Sequence, residues 1–235
     1  MSPKLVRTSC LAVLLPAVLA AVPARAGVVA VGPLSPDSWF EYGSVWEGVQ
    51  AASYGDTVHV TVVYDSGLPV TYGGFDIGRR RSASNLTLTW GFSPAALGVL
   101  GDVNVGSTAT LLFELAGTDN SAARTTGAVE YDTLLVDGSF RVDGLMRVVL
   151  IDAFVPSIGD SFELVSTTGS VSSAIGPVAA RLELPDLGPL AAWSVTVGTG
   201  SGGGQSVFAT VIPAPGALAC LAAVGAVRGG RRRRA

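Results

Sequence analysis

The chain has 235 residues, with 15 basic and 18 acidic side chains and a net charge of −3. Eight of the basic residues lie at the two ends, so the stretch between them carries seven arginines against all 18 acids, a net charge of −11. That balance excludes nucleic acid and anionic membrane surfaces as partners of the central region, because both require clustered Lys or Arg.

The first segment reads as an address. Lys4 and Arg7 form a small positive region, and residues 11–22 are almost wholly apolar, broken only by Pro16. Ala24-Arg25-Ala26 then places small residues two apart, ahead of Gly27. This order is that of a secretory signal peptide over residues 1–26, cleaved after Ala26. The apolar run is well short of the ~20 residues of a spanning helix. Cys10 lies in this segment and Cys220 near the other end, so the region between has no cysteine. It has no disulfide framework, no thiol nucleophile and no cysteine-ligated metal.

Residues 27–210 are expected to form one exported all-β domain, long enough for a real core. Gly, Thr, Ser and Val abound in it, and Lys is absent after Lys4. Near its start, Trp39-Phe40-Glu41-Tyr42 and Trp46 make an aromatic cluster. Ser44-x-x-Glu47 matches a capping box and predicts a short helix through Ala52. Gly55-Asp56 is a turn signal, and residues 57–63 alternate polar and apolar as a half-buried strand does.

A repeat follows. Phe75-Asp76-Ile77-Gly78 is echoed by Val103-Asn104-Val105-Gly106, and more loosely by Phe140-Arg141-Val142-Asp143-Gly144. Each unit precedes an alternating strand, at residues 86–90, 111–115 and 146–151. Short strands closed by Gly at such a period predict stacked coils, each strand pairing with its equivalent in the next. Gly78, Gly106 and Gly144 are expected to supply positive φ at the corners. The last third reads as a meander, with strands at 149–153, 161–166, 181–184, 192–197 and 206–211 and a hairpin tip at 198–204.

Side chains able to do chemistry are few. His59 is the only histidine and lies on a predicted strand. No G-x-S-x-G nucleophile turn is present, and one histidine without cysteine does not make a zinc site. Asp132, Asp137, Asp143 and Asp152 are the best carboxylate candidates for calcium or for acid–base work. Most of the four sit beside Gly or in turns, where Asp is favoured by local hydrogen bonds. No calcium repeat or EF-hand loop accompanies them. The reading is a protein with no catalytic residue, no metal and no cofactor. Arg79, Arg80 and Arg81 form the one basic cluster of the body, a solvated corner or a contact for an acidic polysaccharide. Trp39, Tyr42 and Trp46 either cover an open end of the stack or stack on sugars.

Residues 211–235 are a second address. Ile212-Pro213-Ala214-Pro215 precedes an apolar run from 216 to 227, and Arg231, Arg232, Arg233 and Arg234 follow. As a helix, that run covers about 18 Å, against a hydrocarbon core of ~30 Å. The arginines would stay on the cytoplasmic side of a membrane. The whole segment resembles the PEP-CTERM sorting signal, with Ala214 where that family usually has Glu. The resemblance implies recognition by exosortase, a transpeptidase-like membrane enzyme, after export past signal peptidase. It implies transient anchoring by the C-terminal segment and a final place on the envelope surface, or outside the cell in an exopolysaccharide-linked matrix. Residues 131–165 are similar to the C-terminal coils of β-helical passenger and PEP-CTERM surface proteins. That resemblance implies a short right-handed parallel β-helix with a capping sheet; the alternative is a two-sheet β-sandwich. The function expected is that of a non-enzymatic surface or matrix protein. A carbohydrate-binding or adhesive module of the envelope or biofilm, with exopolysaccharide as partner, is the alternative. A polysaccharide-active β-helix enzyme is a third reading, disfavoured by the lack of Lys in the body.

Overall fold

A computed structural model of the chain describes residues 28–31, 44–53, 55–60, 64–65, 68–69, 71–77, 86–90, 94–123 and 129–215. Its first strands are β1 (Val28–Val31), β2 (Thr57–Val60), β3 (Tyr64–Asp65), β4 (Leu68–Pro69), β5 (Thr71–Ile77) and β6 (Thr87–Trp90). The middle holds β7 (Ala96–Val105), β8 (Thr110–Leu115), β9 (Thr133–Asp137), β10 (Phe140–Val142) and β11 (Leu145–Leu150). The last are β12 (Ser161–Thr167), β13 (Val171–Ser172), β14 (Leu182–Glu183), β15 (Ala191–Thr199) and β16 (Gln205–Pro213). One helix, α1 (Val45–Ala51), and a 3-10 turn over Val178–Arg181 complete the described elements. The fold is all-β.

Parallel pairing dominates. One sheet runs β1-β2-β6-β8-β11-β14, and every neighbouring pair in it is parallel. The larger sheet is built on β7, which is long enough to serve two successive ladders. Its first half pairs with β9, which pairs with β12; its second half pairs with β10, which pairs with β13. β5 lies along the other edge of β7 and spans both halves. All these contacts are parallel. Antiparallel pairing in this sheet is confined to its end, where the β15–β16 hairpin joins β12.

Register explains the core. Val58, Leu88, Leu111, Met146 and Leu182 follow one another across five strands as direct partners. The first four are fully buried. In the second ladder Phe75, Val103, Phe140 and Val171 are partners, and Leu97, Leu134 and Val165 are partners in the third. Side chains alternate across a strand, so these inward residues make one continuous apolar column. Trp90 and Phe113 meet edge to face at 5.0 Å. The Trp90 indole N–H, which needs a partner when buried, is satisfied by the Ala95 carbonyl at 3.0 Å. The repeat seen in the sequence is thus a pairing rule: Asp76 and Arg141 are both direct partners of Asn104.

Corners between ladders are glycine-lined, for a reason other than the one expected. Gly106 and Gly144 do not have positive φ, and Gly78 lies outside the described residues. Gly144 is needed for close approach: a Cβ there would lie 2.3 Å from the Ala109 carbonyl oxygen and 2.4 Å from that of Gly106. The other corner is a stack not read from the sequence, formed by Gly74, Gly101, Gly138, Gly169 and Gly204. A Cβ on Gly138 would meet the Gly101 backbone at 2.6 Å, and one on Gly204 would meet the Gly169 oxygen at 2.5 Å. Of the first four, Gly101 (φ +104°) also needs a left-handed backbone.

The last third departs from a meander. β12 and β14 extend the parallel ladders that run through β9 and β11, so the antiparallel order holds only across β12, β16 and β15. The strand expected over 149–153 ends at Leu150, because Asp152 and Ala153 turn the chain through left-handed φ of 52° and 57°. The hairpin tip at 198–204 is found: Thr199 pairs with Gln205 around it. β16 continues through Pro213.

Candidate functional site

Of the expected sugar-contact residues, Trp46 is the one described; Trp39, Tyr42, Arg79, Arg80 and Arg81 lie outside the described residues. Trp46 is presented by α1, which starts as the sequence predicts. The Ser44 Oγ accepts the Glu47 N–H at 3.2 Å. That bond satisfies a donor of the first turn, which no carbonyl within the helix can reach. Val45, Gly48 and Val49 are buried on the inner face. The helical period then turns Trp46 outward. Its side chain is 53% exposed.

Beside it is a shallow cleft of about 280 Å³, bounded by Trp46, Gly74, Phe75, Asp76, Asp102 and Asn104. Asp76 and Asn104 are the middle residues of two repeat units, so they face away from the core on which Phe75, Ile77, Val103 and Val105 pack. Asp102 is fixed by the Ser139 N–H, which donates to its Oδ1 at 2.8 Å. The lack of a side chain at Gly74 lets the Asp102 backbone come close, since a Cβ would lie 2.5 Å from the Asp102 carbonyl oxygen. An exposed indole beside two carboxylates and a carboxamide can stack on the apolar face of a sugar and accept its hydroxyls. Asp76, Asp102 and Asn104 were not singled out by sequence reasoning. For Asp76 and Asn104 the signal was there, since the middle position of an apolar-polar-apolar repeat is the one that reaches solvent; Asp102, just before its unit, carried no such signal.

The four aspartates do not come together. Asp132 is no turn residue but is completely buried, its Oδ1 accepting the Ala95 N–H at 2.8 Å and its Oδ2 the Glu114 N–H at 2.9 Å. Desolvation raises its pKa well above the ordinary value; the two N–H donors oppose this, and the Glu114 charge adds to it. Asp143 has the reverse shift. Its carboxyl is held low chiefly by the Ala174 N–H at 2.6 Å, with Arg141 and Ser173 assisting against some desolvation. Asp137 accepts the Thr168 hydroxyl at 3.0 Å, and Asp152 sits in the left-handed turn. Among the described residues, no three His, Cys, Asp or Glu side chains are grouped to hold a metal ion. His59 lies on β2 between Ala30 and Thr89, and burial lowers its pKa.

The terminal motifs divide. Ala24, Ala26 and Gly27 lie outside the described residues, as do Arg231, Arg232, Arg233 and Arg234. Ile212 and Pro213 end β16, and the Ala214 N–H donates to the Leu190 carbonyl at 3.0 Å, with Pro215 directly after it. Among the described residues, no helix is long and apolar enough to cross a membrane. Compared with known protein families and with characterised proteins, the chain matches none.

Proposed function

We propose that this is an exported, non-enzymatic surface or extracellular-matrix protein, routed by exosortase through residues 211–235. One observation carries the reading: a signal-peptide pattern ending at Ala26 and a Pro-x-Pro, apolar run and arginine cluster occur in the same chain. The body between them is built to pack. We read its three parallel ladders as the faces of a short parallel β-helix, right-handed because crossovers between parallel strands of one sheet almost always are. The β15–β16 hairpin would be its capping sheet. Support comes from the in-register pairing of the repeat units, since a sandwich has no need of it.

Two measurements test these statements. Mass spectrometry of the product from a bacterium with an exosortase is expected to find a chain starting at Gly27 and ending before Arg231. A product that retains Ala235, or starts at Met1, refutes the sorting reading. For the helix, Asn104→Cys with Arg141→Cys is expected to form a disulfide, because lateral partners lie within bridging distance. Failure to cross-link under oxidation sinks the proposed stack.

A second reading is favoured by the exposed Trp46 above Asp76, Asp102 and Asn104: glycan binding in the envelope or biofilm. Glycan-array binding that persists in a Trp46→Ala, Asn104→Ala variant rejects it.

A further inference from the structure

The chain does not pass directly from β8 to β9. Residues 116–123 fold over the outward side of β7 and β9, where Ala123 packs on Ala96 and Leu135 in a small apolar cluster outside the main core. Next to this cluster opens a cleft of about 450 Å³. That volume is within the range of small-ligand sites. Three separate parts of the fold wall it: the 118–123 segment, Thr133 and Leu135 of β9 with Glu163 of β12, and Ser201 at the hairpin tip.

Most polar groups of the cleft are already engaged. The Glu130 Oε2 accepts the Thr118 and Asp119 N–H groups at 2.9 and 3.0 Å, which shapes the segment. The Asp119 Oδ1 accepts the Ser121 N–H at 2.8 Å. Glu163 is anchored by the Ser201 N–H at 2.9 Å and the Ser206 hydroxyl at 2.7 Å. Desolvation opposes ionisation of Glu163, but these donors and Ser166 outweigh it and hold its carboxyl below the ordinary range. Tyr131 is set by an edge-to-face contact with Phe162 at 5.2 Å, and its hydroxyl accepts the Glu163 N–H at 3.3 Å. Asn120 is the exception. Its side chain bonds to Tyr131, yet its Oδ1 is buried with no hydrogen-bond partner. A buried acceptor without a donor is costly and rare, and Asn120 is one of the residues that wall the cleft.

We propose that this cleft binds one neutral, hydroxyl-bearing sugar ring, with the Asn120 Oδ1 accepting a hydroxyl. The Asn120 Oδ1 and the two carboxylates are acceptors, so the ligand must bring donors to them. Among the described residues its charges are Asp119 and Glu163, and no basic residue lines it. Uronates and phosphates are therefore repelled. Leu135 and Ala123 provide the apolar floor that a sugar's C–H face requires. The site depends neither on the terminal signals nor on Trp46.

The test is heteronuclear NMR titration of the full chain with glucose, galactose, mannose and N-acetylglucosamine, with glucuronate as the charged comparator. At least one neutral sugar is expected to give saturable shifts centred on Asn120, Thr133 and Ser201, while glucuronate gives none. Asn120→Leu, which removes the acceptor, is expected to weaken binding about tenfold or more. Ser201→Trp, at an exposed position that leaves the core untouched, blocks the mouth and should do the same. The proposal is overturned if no neutral sugar saturates, if glucuronate binds equally, if both variants bind as the parent does, or if the shifts centre on Trp46.

Discussion

Asp132 and Asp143 do the same job in two places and end with opposite electrostatics. Each stands just outside a strand and takes a backbone N–H from a neighbouring turn or strand: Ala95 and Glu114 for Asp132, Ala174 for Asp143. Their hydrogen bonds favour the ionised form in both cases. The difference is water. Asp132 is sealed from water, with no cation on it among the described residues and with the Glu114 carboxylate acting on it, so its pKa rises. Asp143 has Arg141 beside it at 2.9 Å and keeps contact with solvent, so its pKa falls. A backbone staple is therefore not one device. At the junction of Ala95, Glu114 and β9 it joins three stretches of chain at an electrostatic cost; at the Arg141 corner it carries none.

The strongest way to break this comparison is Asp132→Ala. Two buried N–H groups would lose their acceptor, each costing about 1–3 kcal/mol, so the loss should be about 2–6 kcal/mol in urea denaturation. A loss below about 1 kcal/mol would mean that the junction does not depend on the carboxylate. Asp132→Asn sharpens the point, since it keeps one acceptor and abolishes the charge; its cost should be smaller than that of Ala. The pH dependence then has a definite sign. A carboxyl whose pKa is raised on folding favours the folded state most below its ordinary value of 3.8, and that contribution is lost as pH rises through the folded-state value. Glu114, raised by desolvation and by Asp152, acts in the same direction. Stability of the parent should therefore decline as pH climbs above the ordinary carboxylate range, and the decline should be shallower in Asp132→Asn. An equal slope in both proteins contradicts the buried charge.

What the sequence could reveal here follows the range of the interaction. The helix after Ser44 was legible because a capping box is local. The pairing of Phe75, Val103 and Phe140 was legible because the repeat writes a long-range contact into a local pattern. The glycine stack was not, since Gly74, Gly101, Gly138, Gly169 and Gly204 stand at uneven intervals among 30 glycines, and only the fold shows which backbones touch. The role of Asp132 was hidden for the same reason, since its partner Ala95 lies 37 positions away. At the candidate site, Trp46 stood out as an aromatic, while Asp76, Asp102 and Asn104 gained meaning only once their strands were aligned beneath it.

Asp143→Ala should cost less than Asp132→Ala, about 1 kcal/mol, because water can replace the lost acceptor. Its pH dependence is reversed: a lowered pKa gives stability that is present above the ordinary value and lost as pH falls through the folded one. Comparing the Asp143→Ala and Asp132→Asn melts at acid and neutral pH should therefore give differences of opposite sign.

The smallest effect is expected at the Arg147–Glu183 pair, which bridges β11 and β14 at 2.9 Å. Its geometry matches that of Arg141 and Asp143, with Nε and Nη2 of Arg147 both donating to one carboxylate oxygen. Its side chains, however, are 48% and 53% exposed. Solvent therefore screens the attraction, and the ordering of two long side chains offsets most of the remainder. Arg147→Ala should change stability by less than about 0.5 kcal/mol, and salt at about 1 M should erase that difference. A loss as large as that of Asp132→Ala would show that the β14 edge is held by charge, and that the buried Met146 on β11, with its partner Leu182 on β14, is not enough to keep the last strand in its ladder.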